Sequence, residues 1–324
     1  MGKNMEQQPR LPWCQRICYS VGHSLNDLCA SMWFSYLIVY LQLVLGFDSN
    51  YAGLVLLIGQ VADAIATPLL GYEASNNKET GTICVVLSFP FIFSVCPGCE
   101  NSSQFALTTM LIPLVIIFQI GWAAVQVSHL SLIPAITPHE NERDFLNVLR
   151  YAVNIVSDIG TYVVVWCVFD LTRKPIGDHH TITGDYANKF MIITLIIVAI
   201  GTVFSFIFHM GVNEVQYTPL STADNSIEKD SVQPASNPTF SFFPINLSWR
   251  GWLRESHFYQ VILEHELSVH APFYLQESLR ANDDFIAKIP LVMNVSGFIV
   301  SCCLPKIFKV FSKKVTFLGC ICWN

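Results

Sequence analysis

The chain has 324 residues, of which 52% are hydrophobic and only 13% are charged, and its net charge is −6. Soluble proteins usually carry about 25% charged residues, so this composition excludes an ordinary soluble domain and indicates several membrane-spanning helices. The sequence has no basic patch of the kind that binds nucleic acid.

The N-terminal part is predicted to be a cytosolic tail followed by six membrane-spanning helices. Residues 1–16 are polar, and the apolar run after them is too long for the core of a cleavable signal peptide. A spanning helix needs about 20 mostly apolar residues. Residues 17–211 contain six such apolar segments and predict an all-α N-terminal lobe. The six segments are Ile17–Leu45, Ala52–Tyr72, Gly81–Cys96, Phe105–Ile136, Phe145–Phe169 and Phe190–Gly211.

A polar linker is predicted over residues 212–255, which are rich in Ser, Asn, Pro and Asp. Phe285–Pro305 is a further apolar span, whereas Ser256–Gln276 is a weaker one because it contains a Glu-His-Glu sequence. Val315–Trp323 is the start of another apolar segment. Residues 256–324 are therefore expected to form a partial C-terminal lobe of about two helices and the start of a third.

The Lys and Arg residues predict the orientation. With the N-terminus in the cytosol, the cytosolic side holds 12 of these residues and the far side holds 4, as the positive-inside rule requires. The glycosylation sequon at Asn101 then lies on the far side of the membrane, where it can be modified. The sequon at Asn246 lies on the cytosolic side and is expected to carry no sugar. Cys96 and Cys99 fit a loop disulfide or two free thiols, because no second pair suggests a metal or redox site.

An acidic residue, Asp63, lies near the middle of the second predicted span. Holding a carboxylate at that depth costs about 3 kcal/mol on insertion scales, so such a residue usually faces a bundle interior or a water-filled path. Gln60 and Thr67 lie at helical spacing from Asp63 and are expected on the same face. Burial favours the neutral carboxyl group, whereas a nearby cation favours the carboxylate. Because the two effects oppose each other, such a residue can couple the movement of a solute to that of H⁺ or Na⁺.

Polar residues also recur on single faces of three other spans. Turned inward together, they would line a polar cavity near the midplane, where secondary transporters bind their solutes. The residues are His23 and Asp27 in the first span, Gln126 and His129 in the fourth, and Arg150, Asn154 and Asp158 in the fifth. Gln126, His129 and Asn154 fit a role as interhelical hydrogen-bond partners equally well. His23 fits a buried core position equally well. For the acids, a protonatable or cation-binding role is favoured over a static pairing with Arg150.

Four segments resemble a known family. They are VGHSLNDLCASMWFSYLIVYL, LLIGQVADAIATPLLGYE, SLIPAITPHENERDFLNVLRYAVN and FIAKIPLVMNVSGF, which are similar to the major facilitator superfamily domain-containing protein 12 family. That family is related to the glycoside–pentoside–hexuronide:cation symporters, which include the melibiose permease. The resemblance runs from Tyr19 to about Pro305. It implies a two-lobe transporter of the major facilitator superfamily type, with twelve helices, a central cavity and alternating access.

The resemblance also implies roles for individual residues. In the sugar symporters, acids on the first, second and fourth helices bind the cation and the sugar. Asp27 matches the first-helix acid and Asp63 matches one of two second-helix acids, while Thr67 stands at the other position. Gln126 replaces the fourth-helix acid. The resemblance therefore favours proton coupling through Asp63 or Asp27, or facilitated transport, over a Na⁺/sugar mechanism.

The domain-12 family is associated with lysosomal and melanosomal membranes and with cysteine import into the lumen. The resemblance thus implies a transporter, with cysteine or a sugar-like solute and H⁺ or Na⁺ as its partners, and the plasma membrane as the alternative location. No catalytic, metal or cofactor motif is present in the sequence. The seventh-helix region is shorter than in the family and the chain stops within the ninth helix. A truncated membrane protein that does not transport is therefore the alternative hypothesis.

Overall fold

The part of the chain that the structure describes is entirely helical. The computed structural model describes residues 11–72, 78–95, 102–137, 139–172, 182–212 and 270–310, and the predicted all-α class is confirmed. The helices are α1 (Trp13–Val21), α2 (Ser24–Val39), α3 (Ser49–Tyr72), α4 (Lys78–Ile92), α5 (Gln104–Ile136), α6 (Glu140–Leu171), α7 (Ala187–Gly211), α8 (residues 270–277) and α9 (Phe285–Val310).

Five helical stretches within these ranges are long and apolar enough to cross a membrane. They are Trp13–Val44, Ser49–Gly71, Gln104–Ile136, Glu142–Leu171 and Gly184–Gly211. They correspond to five of the six spans predicted in the N-terminal part.

The described parts of the remaining candidate spans form shorter apolar helices, at Glu79–Ile92 and Phe285–Ser296. The linker beyond Val212, most of the weak seventh span and the segment Val315–Trp323 lie outside the described residues.

The first span is broken into α1 and α2 at Gly22 and His23. The Gly22 N–H donates to the Tyr19 carbonyl at 3.1 Å, and α2 begins with the Asp27 N–H donating to the His23 carbonyl at 3.1 Å. Both junction residues are buried, and a break at membrane depth is tolerated where surrounding protein covers it. The break places His23 at the start of α2, one turn before Asp27.

Helix α2 is the central element, since nearly all its side chains are buried. A helix that is covered on every side lies inside a bundle. Tyr40 beyond its end packs against Phe93 with ring centroids 5.2 Å apart, and Trp33 packs against Phe118 at 5.3 Å. Helices in a membrane associate largely through such close van der Waals packing, so these aromatic contacts hold α2 against α5 and the end of α4.

Helices α4 and α5 approach each other at two glycines. A Cβ added at Gly121 would lie 2.7 Å from the Cβ of Cys84 and 2.9 Å from the carbonyl oxygen of Gly81. Small residues at helix interfaces allow this kind of backbone approach in membranes. The contact holds α5 close to the bundle along the part that borders the candidate site.

Polar contacts join the bundle at both ends. At the predicted cytosolic end, Arg16 of α1 and Glu142 of α6 form an ion pair of 2.6 Å. At the opposite end, the Tyr186 hydroxyl donates to Asp283 at 2.9 Å and the Tyr36 hydroxyl donates to the Ile286 carbonyl at 3.2 Å. The segment between α8 and α9, with the start of α9, therefore packs on the ends of the N-terminal helices that are predicted to face away from the cytosol.

Candidate functional site

Asp63 borders a recess between α2, α3 and α5. The recess has a volume of about 120 Å³, enough for several water molecules. Its wall is mostly aromatic, with amide groups beside the acid. The side chains around it include Trp33, Phe34, Gln60, Phe118, Gln119 and Trp122. The predicted polar face of the second span therefore opens on a space that can hold a small ligand.

Thr67 contacts Asp63 as the helical spacing predicts. The Thr67 hydroxyl donates to Asp63 Oδ1 at 3.0 Å. Asp63 is half-buried, whereas Thr67 and Gln60 are exposed. The acid therefore lies at the edge of the bundle interior, with one oxygen engaged by its neighbour on the same helix.

His23 and Asp27 form a buried pair. His23 Nδ1 lies 2.7 Å from Asp27 Oδ1, and each residue is only 4% exposed. His23 Nε2 and Asp27 Oδ2 are buried and have no hydrogen-bond partner within the described ranges. A buried ionisable pair with unused polar atoms is expensive to maintain, which marks it as a candidate functional group.

Ser31 connects this pair to Asp158 on α6. Its hydroxyl is within hydrogen-bonding distance of the Asp27 carbonyl oxygen, at 3.1 Å, and of the Asp158 carboxylate. One turn further along α2, the hydroxyl groups of Ser35 and Tyr162 form a hydrogen bond of 2.9 Å. A hydroxyl has one proton and can donate it to one acceptor at a time. The polar face of the first span thus continues along α2 and meets the polar face of α6.

Sequence reasoning missed Ser31 and Ser35 as members of this face. The available signal was their spacing, because they follow His23 and Asp27 at intervals of four residues. Tyr162 likewise follows Asp158 at four residues, and these two rows of side chains meet where α2 packs against α6.

His129 makes the contacts of an interhelical hydrogen-bond partner. Its Nε2 donates to the Tyr19 carbonyl at 2.9 Å, and the Tyr19 hydroxyl donates to the His129 carbonyl at 3.1 Å. The two rings stack with centroids 4.4 Å apart. The His129 ring also lies 5.4 Å from that of His23. His129 therefore joins α5 to α1 and stands beside the buried pair.

The other predicted residues occupy less enclosed positions. Gln126, Arg150 and Asn154 are all half-buried. The structure shows no ion pair to Arg150 among the residues it describes, and Arg150 Nε is buried without a hydrogen-bond partner there. The alternative in which a buried acid is a static partner of Arg150 does not match these contacts. Asn101, Cys96 and Cys99 lie outside the described residues.

The structure thus divides the candidate site into two groups, one around Asp63 and one around Asp27. Within the described ranges, no group of three or more His, Cys, Asp or Glu side chains could hold a metal ion. Each group places a carboxylate beside a polar side chain within a membrane-spanning helix.

A profile of the family described as MFS/sugar transport protein matches residues 17–323. The chain belongs to the MFS/sugar transport protein family. Members of this family are transporters rather than enzymes, so the chain is a multi-pass, all-α membrane protein of the major facilitator superfamily type.

Two mammalian relatives match almost the whole chain. The Mus musculus "Major facilitator superfamily domain-containing protein 12" is 37% identical over 327 residues, which cover 93% of this chain and 67% of the relative. The Homo sapiens protein of the same name is 37% identical over 342 residues, which cover 94% and 68%. These matches confirm the resemblance to the domain-12 family.

A more distant similarity extends to a named symporter. The Danio rerio "Sodium-dependent lysophosphatidylcholine symporter 1-B" is 24% identical over 240 residues, which cover 66% of this chain and 46% of that protein. Membership of the family indicates transmembrane transport of a solute, and this relative is named as a sodium-dependent symporter.

Proposed function

We propose that the protein is a secondary transporter that moves a small polar solute together with a proton, with cysteine import into lysosome-like organelles as the specific reaction. The family membership supports the transport part. The resemblance to the domain-12 family supports the solute and the compartment. The buried pair of His23 and Asp27 is the observation that carries the coupling part.

The His23–Asp27 pair suits a proton site because its net charge changes by one unit inside the bundle. With a neutral imidazole and a carboxylate the pair carries one negative charge, and one added proton makes its net charge zero. Alternating access that exposes the pair first to one side of the membrane and then to the other would let it take up a proton on one side and release it on the other.

The remaining polar residues have proposed roles on the solute path. Asp63 with Thr67 supplies a negative charge at the recess and is the alternative cation site. Gln126, Arg150 and Asn154 are half-buried side chains that would contact the solute as it passes. Asp158, whose carboxylate contacts the Ser31 hydroxyl, would line the solute path from α6.

The proposed domain arrangement is a six-helix N-terminal lobe over residues 17–211, a cytosolic linker over 212–255 and a partial C-terminal lobe over 256–324. The N-terminus would lie in the cytosol and Asn101 would carry sugar on the luminal side. The lysosomal membrane is the proposed location, and detection of the protein in lysosomal rather than plasma-membrane fractions would test it.

The test of function uses the full 324-residue chain in proteoliposomes. Uptake of labelled cysteine, other amino acids and sugars is measured under an imposed pH gradient and, separately, an imposed Na⁺ gradient. We expect cysteine uptake that the pH gradient drives. Asp27→Asn should abolish the response to the gradient, and the exposed control Asp144→Asn should leave it unchanged.

Each of the other outcomes of the uptake assay would support a different function. Sugar uptake driven by Na⁺ would identify a sugar:cation symporter. Cysteine uptake that ignores both gradients would identify facilitated transport. A properly folded protein that moves none of the solutes would support a membrane protein that does not transport by itself.

A further inference from the structure

The recess beside Asp63 is lined by one acidic side chain and several aromatic rings. The rings of Trp33, Phe118 and Trp122 line it together with the acid. None of the side chains found to line it is a Lys, an Arg or a His. The charge of Asp63 is therefore left without a positively charged partner in the lining.

The hydrogen bonding of Asp63 leaves room for a ligand. A carboxylate can accept about four hydrogen bonds, and the Thr67 hydroxyl supplies one of them. No Lys, Arg or His pairs with Asp63 in the described part of the chain. A half-buried acid in a membrane-spanning helix needs either a proton or a cationic partner.

The aromatic wall is held in a defined position. Trp33 packs on Phe118 at 5.3 Å between centroids, and Phe118 packs on Phe89 at 4.8 Å. On the other side of the indole, a Cβ added at Gly59 would lie 2.8 Å from Trp33 Cζ2. Gly59 precedes Asp63 by four residues and shares its helix face. The close approach at Gly59 therefore holds the indole next to the acid.

Such a lining favours an organic cation over an inorganic one. A hard metal cation is bound by several oxygen ligands, and the recess offers only the Asp63 carboxylate and the amides of Gln60 and Gln119. Aromatic faces attract ammonium groups, and the attraction grows when water is excluded. Tryptophan is the strongest aromatic partner of this kind, and two tryptophans line the recess.

We propose that this recess binds the ammonium group of the transported solute, with Asp63 as the counter-ion and Trp33, Trp122 and Phe118 as the surrounding wall. The amide oxygens of Gln60 and Gln119 are the further acceptors for its N–H groups. This inference rests on the proposed transport function, since it names the chemical class of the solute. Solutes with a protonated amine fit the recess, and neutral sugars do not.

The experiment measures binding of two simple probes, methylammonium and tetramethylammonium, to the purified full chain in lipid nanodiscs. Thermal unfolding is followed while each probe replaces Na⁺ or K⁺ at constant ionic strength. We expect saturable stabilisation by both ammonium probes, at concentrations at least about tenfold below those of Na⁺ that give the same shift. Asp63→Asn should remove this stabilisation, Asp63→Glu should retain it, and Asp144→Asn should match the unmodified chain.

The aromatic lining is tested by Trp122→Leu and by Phe34→Leu, since Phe34 is a further ring that lines the recess. One well-folded variant of the two is enough for the test. Circular dichroism and elution as a single species identify the variants that fold. Loss of one ring should weaken ammonium binding by about tenfold and leave any Na⁺ effect unchanged. Equal weakening of Na⁺ and ammonium binding would contradict the role of the rings.

Two results would overturn the proposal. One is the absence of a saturable ammonium effect in the unmodified chain. The other is equal stabilisation by Na⁺ and ammonium that Asp63→Asn removes together, which would identify an inorganic cation site. Uptake in the proteoliposome assay without ammonium binding would refute the recess assignment and keep the transport function. Ammonium binding without uptake of any solute would refute the transport function and keep the assignment of the recess as an ammonium site.

Discussion

His23 Nδ1 and Asp27 Oδ1 lie 2.7 Å apart at the start of α2, in the interior of a helix bundle. Both side chains are buried, so each depends on the other rather than on bulk water for this contact. The break between α1 and α2 at Gly22 brings the imidazole to this position. A helix end, a histidine and an acid thus form one unit at membrane depth.

The first prediction concerns the stability of this pair. Asp27→Leu should lower the free energy of unfolding by about 3 kcal/mol, because it leaves His23 buried without its partner. The double variant His23→Leu/Asp27→Leu should recover most of that loss, since it removes both polar groups. Unfolding of these two variants and of His23→Leu in detergent measures the coupling between the two residues. Additive losses would show that the pair does not act as a unit.

The second prediction concerns the contact between Ser35 and Tyr162. Ser35→Ala and Tyr162→Phe should each destabilise the bundle by about 0.6 kcal/mol, the average for interhelical hydrogen bonds in a membrane protein. The double variant should lose little more than Tyr162→Phe alone, because that variant removes the hydrogen bond to Ser35 together with the contact to Asn294. Thermal unfolding with Thr109→Val, on the exposed side of α5, as the control would measure this. A double variant with summed losses would argue against the contact.

The third prediction concerns the close approach of α4 and α5. Gly121→Val should destabilise the protein by about 2 kcal/mol, because the new side chain overlaps Cys84 and the Gly81 backbone. Gly53→Val on α3 is the matched control, since nothing lies within 4 Å of a Cβ added there. Unfolding temperatures of the two variants should differ clearly. Equal temperatures would mean that the two helices can separate without loss.

The fourth prediction concerns the end of the bundle that is predicted to face away from the cytosol. Tyr186→Phe removes the 2.9 Å hydrogen bond to Asp283. It leaves a buried carboxylate without that donor. Amide hydrogen exchange over residues 182–190 and 278–288 should therefore become faster. Tyr274→Phe, at an exposed tyrosine, is the control and should not change it. Unchanged exchange in Tyr186→Phe would show that this bond does not hold the two segments together.

The membrane-spanning segments could be predicted because hydrophobic runs of the right length are a strong local signal. Asp63 and Thr67 were predicted to share a face, and their 3.0 Å hydrogen bond follows directly from helical geometry. Local spacing is enough in such cases, because both residues lie on the same helix.

Contacts between helices could not be predicted in the same way. The link from Ser31 to Asp158 depends on how α2 crosses α6, which no local pattern specifies. Serine is also common inside membrane helices, where it often donates to its own helix, so its spacing alone is a weak signal. The break at Gly22 was likewise missed, because the small and polar residues around it, SVGHS, also occur inside continuous membrane helices.

The Ser31 hydroxyl has two acceptors on two different helices and one proton to give. It can therefore serve its own helix or α6, but not both at once. When α6 moves away from α2, the hydroxyl can turn to the Asp27 carbonyl and stay hydrogen-bonded. The contact between α2 and α6 can thus open without leaving a buried hydroxyl unpaired.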